Sequence, residues 1–184
     1  MRSLSATAAG LMFSAFVGVA APAYALPYSD VVNGPTPILN GPGNAFSYTH
    51  DITDIASGGF SPGTDTITGG TLAIQISNPT STTPPTTGTG NLQISFDGGT
   101  NFINEGTPAT PGPTIYTFLI NNTVYGGVDL KADLEADGLL PVIVRLVGGG
   151  SSGSERVIFD SSILEGTFVR RTAVPEPASS ARHS

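Results

Sequence analysis

Thr71-Leu72-Ala73-Ile74-Gln75-Ile76-Ser77 alternates apolar and polar residues without a break, and the fold is decided there. A period of two puts Leu72, Ile74 and Ile76 on one face of a strand, whereas a helix would scatter them around its axis. The pattern returns on both sides. Residues 45–52 (Ala-Phe-Ser-Tyr-Thr-His-Asp-Ile) predict a strand with Phe46, Tyr48 and Ile52 inside. Leu92-Gln93-Ile94-Ser95-Phe96 runs into Asp97-Gly98-Gly99, a tight reversal with a short return at Phe102-Ile103 before Asn104-Glu105-Gly106 turns the chain away. Residues 114–120 form the most apolar strand. In 139–147 either Val142, Val144 and Leu146 or the opposite set faces the core, and Pro141 points to an edge or a strand start. Residues 156–159 and 163–169 are expected as the last two strands.

Helical spacing fits only 128–136, where Leu130 and Leu134 stand four apart and Asp137-Gly138 stops the run. Many short strands, Gly/Pro/Asp turns and one helical turn predict an all-β domain, an antiparallel β-sandwich of jelly-roll-like form. The stretches 78–90, 107–113 and 148–153 are rich in Gly, Pro, Ser and Thr and are expected as loops.

The chain has 184 residues, a formal net charge of −7, only 7 Lys and Arg, and no Cys. So few cations cannot neutralise a run of phosphates, which argues against nucleic acid as a partner. The missing thiols exclude disulfides, thiol catalysis and Cys-ligated zinc or iron–sulfur clusters.

At the N-terminus, Arg2, an apolar stretch from Ala6 to Ala21 and Ala23-Tyr24-Ala25 read as a cleavable export leader over 1–25. The apolar run falls short of the roughly 20 residues that a spanning helix needs, and no later stretch reaches that length, so no membrane span is expected in the mature chain. Residues 26–44 hold Pro27, Pro35, Pro37 and Pro42 among glycines and read as an extended entry loop. The sandwich is expected over 45–170 and a disordered tail over 171–184.

That tail contains Val174-Pro175-Glu176-Pro177. With Tyr48-Thr49-His50-Asp51-Ile52-Thr53-Asp54, Gly59 to Ile67, and Leu134-Glu135-Ala136-Asp137-Gly138-Leu139-Leu140, the chain resembles bacterial β-sandwich exoproteins that carry a PEP-CTERM sorting signal. In that family the motif precedes a hydrophobic span and a basic cluster that an exosortase reads. Here Ser180-Ala181-Arg182-His183-Ser184 follows instead, so the resemblance implies a truncated signal and an exosortase partner only where the signal is complete. It further implies a secreted or cell-surface protein associated with extracellular polysaccharide or biofilm matrix, and no shared reaction.

Asp51, Asp54 and Asp65 bracket one turn, and hard carboxylate oxygens so spaced are candidate calcium ligands. The competing reading is that Asp51 and Asp54 accept hydrogen bonds from nearby backbone amides, as short acidic side chains in loops usually do. Asp129, Asp133 and Asp137 read as a solvated helix face and a helix stop, and Asn121-Asn122-Thr123 as an accidental glycosylation match. The histidines are His50 and His183, so a Ser-His-Asp arrangement has to be built on His50; a strand histidine beside Asp51 more often makes a cross-strand hydrogen bond. The spacing Gly-x-Ser-x-Gly occurs at residues 59–63 and 149–153, and Gly-x-Gly-x-x-Gly at 148–153, but each stretch leads into an expected strand and not a helix, so neither a nucleophile elbow nor a dinucleotide fingerprint is formed, and no phosphate loop occurs. The expected function is therefore non-catalytic. A calcium-assisted carbohydrate-binding module is the alternative, with Tyr48, Phe60 and Tyr116 as sugar-contacting aromatics unless the core claims them. A small glycan hydrolase built on paired carboxylates ranks last.

Overall fold

The computed structural model describes residues 24–39, 44–78, 90–108, 112–148 and 156–171. Residues 1–23 of the leader expected over 1–25, the sorting motif Val174, Pro175, Glu176 and Pro177, and most of the three expected loops lie outside them. In chain order the elements are β1 (Ala25–Leu39), β2 (Ala45–Asp51), β3 (Asp65–Asn78), β4 (Asn91–Ser95), β5 (Ile103–Gly106), β6 (Gly112–Ile120), β7 (Val124–Tyr125), β8 (Val128–Asp129), α1 (Leu130–Asp137), β9 (Leu139–Val147) and β10 (Arg156–Arg170).

Two four-stranded sheets form, in the orders β1-β10-β3-β6 and β2-β9-β4-β5, and every pairing is antiparallel. Setting aside the small β7-β8 hairpin, the first long strand pairs with the last, the second with the next to last, the third with β6 and the fourth with β5. This nesting is a single long hairpin rolled up on itself, which is the jelly-roll topology. The expected all-β sandwich with one short helix is the architecture observed.

Both inner faces are apolar at period two. Leu72, Ile74 and Ile76 on β3 face Val142, Val144 and Leu146 on β9, and all are buried. Pro141 is tolerated although β9 is a central strand, because the β4 ladder reaches only from Val147 to Ile143 and leaves Pro141 paired with β2 alone. α1 buries Leu130 and Leu134; Asp129 accepts from the amides of Lys131 and Ala132 at its start, and Gly138 closes it at φ 79°, a left-handed conformation that glycine adopts at little cost.

Three expectations are corrected. Residues 26–39 are no entry loop, because β1 runs the length of β10. Its prolines are admissible since β1 is a sheet edge, where one side of the backbone has no ladder to serve. The stretches 156–159 and 163–169 are one strand, with Asp160 bulged between Phe159 and Ser161. Asn104-Glu105-Gly106 belongs to β5.

Gly166 on β10 pairs with Gly70 on β3, and the Tyr28 ring covers both. A Cβ on Gly166 would overlap the Gly69 carbonyl oxygen and the Tyr28 hydroxyl. Gly166→Ala is thus expected to cost about 2–3 kcal/mol by overpacking, read as a lower denaturant midpoint at unchanged m-value.

Candidate functional site: a buried Asp-His-Ser network

Alternation along β2 carries His50 inward with Phe46 and Tyr48, and its ring is fully buried. Nδ1 lies 2.8 Å from Asp30 Oδ2 on β1, and Nε2 lies 2.9 Å from Ser162 Oγ on β10. With a neutral ring, Nδ1–H donates to the carboxylate and Nε2 accepts from the serine hydroxyl. Asp30, His50 and Ser162 thus have the connectivity of a hydrolytic triad.

Each residue arrives by local geometry. Asp30 shares the inward parity of β1 with Tyr28 and sits at the sandwich edge with its side chain 21% exposed. Its carboxylate also accepts from the Asp51 amide at 3.2 Å and the Ser57 hydroxyl at 3.3 Å. Ser162 faces inward because the Asp160 bulge shifts the alternation of β10 by one residue: Val157 and Phe159 are buried before it, Ser162, Leu164 and Phe168 after it. Asp160 accepts from the hydroxyl of Ser77 at 2.5 Å, which ties the bulge to β3.

Burial pushes the His50 pKa below its ordinary value, and the hydrogen bond and charge of Asp30 offset part of that shift. Tyr48, edge-on to His50 at 5.4 Å, has a raised phenol pKa, chiefly through burial and countered in part by Ser162; its hydroxyl lies outside good hydrogen-bonding geometry. Phe46 and Phe159 complete the surroundings, with ring centroids 4.7 Å apart.

A nucleophile needs room for an acyl group and donors aimed at a developing oxyanion. Ser162 and His50 are 0% exposed, so substrate has no approach to either. What the geometry does is join the two sheets, β1 and β10 of one to β2 of the other, along one open side of the roll. A comparison with protein-family models finds no match, and neither does a comparison with curated proteins.

Of the residues singled out in the sequence, only His50 is in this network. Asp51 accepts from the amide and hydroxyl of Thr53, which depress its pKa, the hydroxyl most. Asp54 accepts from the Ser57 amide at 2.6 Å. Asp65 is buried against the Ser61 amide and the Arg170 guanidinium. Among the described residues no group of three His, Cys, Asp or Glu is placed to hold a metal ion, so the three aspartates serve separate turns rather than one calcium site. Phe60 and Tyr116 are core residues, and Tyr48 is packed against Phe159; none forms an exposed sugar platform. A shallow open depression of about 470 Å³ lies elsewhere, at Pro27, Ser29, Thr71 and Thr167, with Glu165 as the one carboxylate on its rim.

Asp30 and Ser162 escaped the sequence reading for different reasons. Asp30 stands in Tyr28-Ser29-Asp30-Val31-Val32, where an inward aspartate beside an outward valine breaks the apolar/polar alternation, and the surrounding prolines argue against a strand. Ser162 is recognisable only once the bulge is known.

Proposed function

We propose that this chain is a non-catalytic jelly-roll module that works outside the cytoplasm, in the polysaccharide matrix or at the cell surface. The observation that carries the reading is the sealing of Ser162 and His50 beneath aromatic rings, where the network holds two sheets together and neither the serine nor the imidazole meets solvent. Support for the compartment comes from the leader pattern over 1–25 and the Pro-Glu-Pro resemblance. A cysteine-free sandwich needs other cross-bracing, and a buried polar clasp between its sheets supplies it.

The test is a turnover assay on ester and polysaccharide panels with the full chain and Ser162→Ala, alongside co-sedimentation with extracellular polysaccharide. The expected result is no turnover that depends on Ser162, together with retention on the polysaccharide. Hydrolysis abolished by Ser162→Ala would refute the non-catalytic reading, and failure to co-sediment would refute the matrix assignment.

A further inference from the structure

The edges of the two sheets differ in how they are protected. A bare edge strand presents unpaired N–H and C=O groups, and proteins normally blunt it with charge, proline, bulges or brevity. β1 carries Pro27, Pro35, Pro37 and a bulge, β5 is four residues long, and β2 packs beneath β1. β6 has none of these past Pro113. From Thr107 to Val128 there is no charged residue, in a chain whose net charge is −7.

The outer face of β6 is also apolar. Ile115 is 61% and Leu119 47% exposed, with Thr117 exposed between them. Leu119 N–H donates to Tyr125 Oη at 3.0 Å, so it points away from β3. Because an antiparallel ladder alternates its hydrogen-bonded pairs, the N–H and C=O of Ile115 and Thr117 point the same way. Pro113 has the same parity and sits where a missing N–H breaks no bond to β3.

We propose that β6 joins two copies of this chain edge to edge, as an antiparallel pair centred on Thr117. In that register Thr117 faces Thr117 of the second copy and Ile115 faces Leu119 of the second copy. All three residues direct their backbone groups outward, so their amides and carbonyls meet without reorientation. The strand is complementary to itself, as a two-fold interface requires. Leu119 exchanges the Tyr125 hydroxyl for the Ile115 carbonyl of the second copy. Like-charged molecules meet here where neither carries charge, which makes this edge the favoured one for self-association.

Sedimentation velocity on the full chain from about 1 to about 100 μM tests the pairing. The wild type is expected to dimerise with rising concentration. In Ile115→Lys/Leu119→Lys, Lys faces Lys twice, and dimerisation is expected to weaken at least about tenfold although the net charge falls in magnitude. Ile115→Lys/Leu119→Glu places Lys opposite Glu and is expected to recover most of the loss. Amide exchange at Ile115 and Thr117 in the wild type, which involves no substitution, is expected to slow as concentration rises. A monomer throughout the range, a dimer indifferent to the double lysine variant, no recovery in the Lys/Glu variant, or exchange independent of concentration would each overturn the proposal.

Discussion

His50→Ala is expected to destabilise the fold by about 3–5 kcal/mol, because it opens a cavity and strips the buried Ser162 hydroxyl and the half-buried Asp30 carboxylate of their partner at once. Ser162 is left in a dry core, and Asp30 keeps only the Asp51 amide and the Ser57 hydroxyl. The same histidine makes stability depend on pH. Its folded pKa lies below the ordinary value of 6.5, so the unfolded chain takes up the proton first. The contribution of His50 is therefore fully present above about pH 6.5 and is lost as pH falls towards the folded pKa, by up to ~1.4 kcal/mol per pH unit. Carboxylates with a depressed pKa act in a lower window. Asp97, held to about 2 chiefly by the Asn101 amide, gives up its contribution only as pH falls below the ordinary carboxylate range. His50→Gln retains a hydrogen-bonding amide but no titration in the upper window, so its melting temperature is expected to stay level between about pH 7.5 and 5 while that of the wild type drops. A wild type whose melting temperature is level over the same range would sink this account.

The sandwich was legible wherever a strand obeys strict alternation. Leu72, Ile74 and Ile76 are buried as their spacing requires, and the helical stop at Gly138 is a left-handed cap. Reading failed where alternation was interrupted or masked. Proline normally argues against a ladder, but β1 is an edge strand, and whether a strand lies at an edge depends on tertiary order. The site was harder, since His50 meets partners 20 and 112 residues away, and no local pattern reports such distances. Asp51 is next to His50 in sequence but is not its partner. Adjacent residues on a strand point to opposite faces, and the carboxylate that reaches the ring comes from the strand stacked above.

That bulge at Asp160 supplies the sharpest test of the packing. Phe159→Ala is expected to cost about 3–5 kcal/mol and to lower the melting temperature by roughly 10 °C, since the ring is fully buried against Phe46 and Tyr48. An unbroken period of two from Val157 and Phe159 would carry Ser161 and Ile163 inward and turn Ser162 and Leu164 to solvent. With one extra residue the assignment reverses. Ile163 is 37% exposed and Leu164 fully buried. Leu164→Ala is then expected to cost about 2–5 kcal/mol, and Ile163→Ala about 1 kcal/mol or less. Chemical denaturation of the three variants ranks them directly. If Ile163→Ala proved the costlier of the two neighbours, Ser162 would face solvent, the contact with His50 would not exist, and the clasp between the sheets would have to be abandoned along with the acid dependence derived from it.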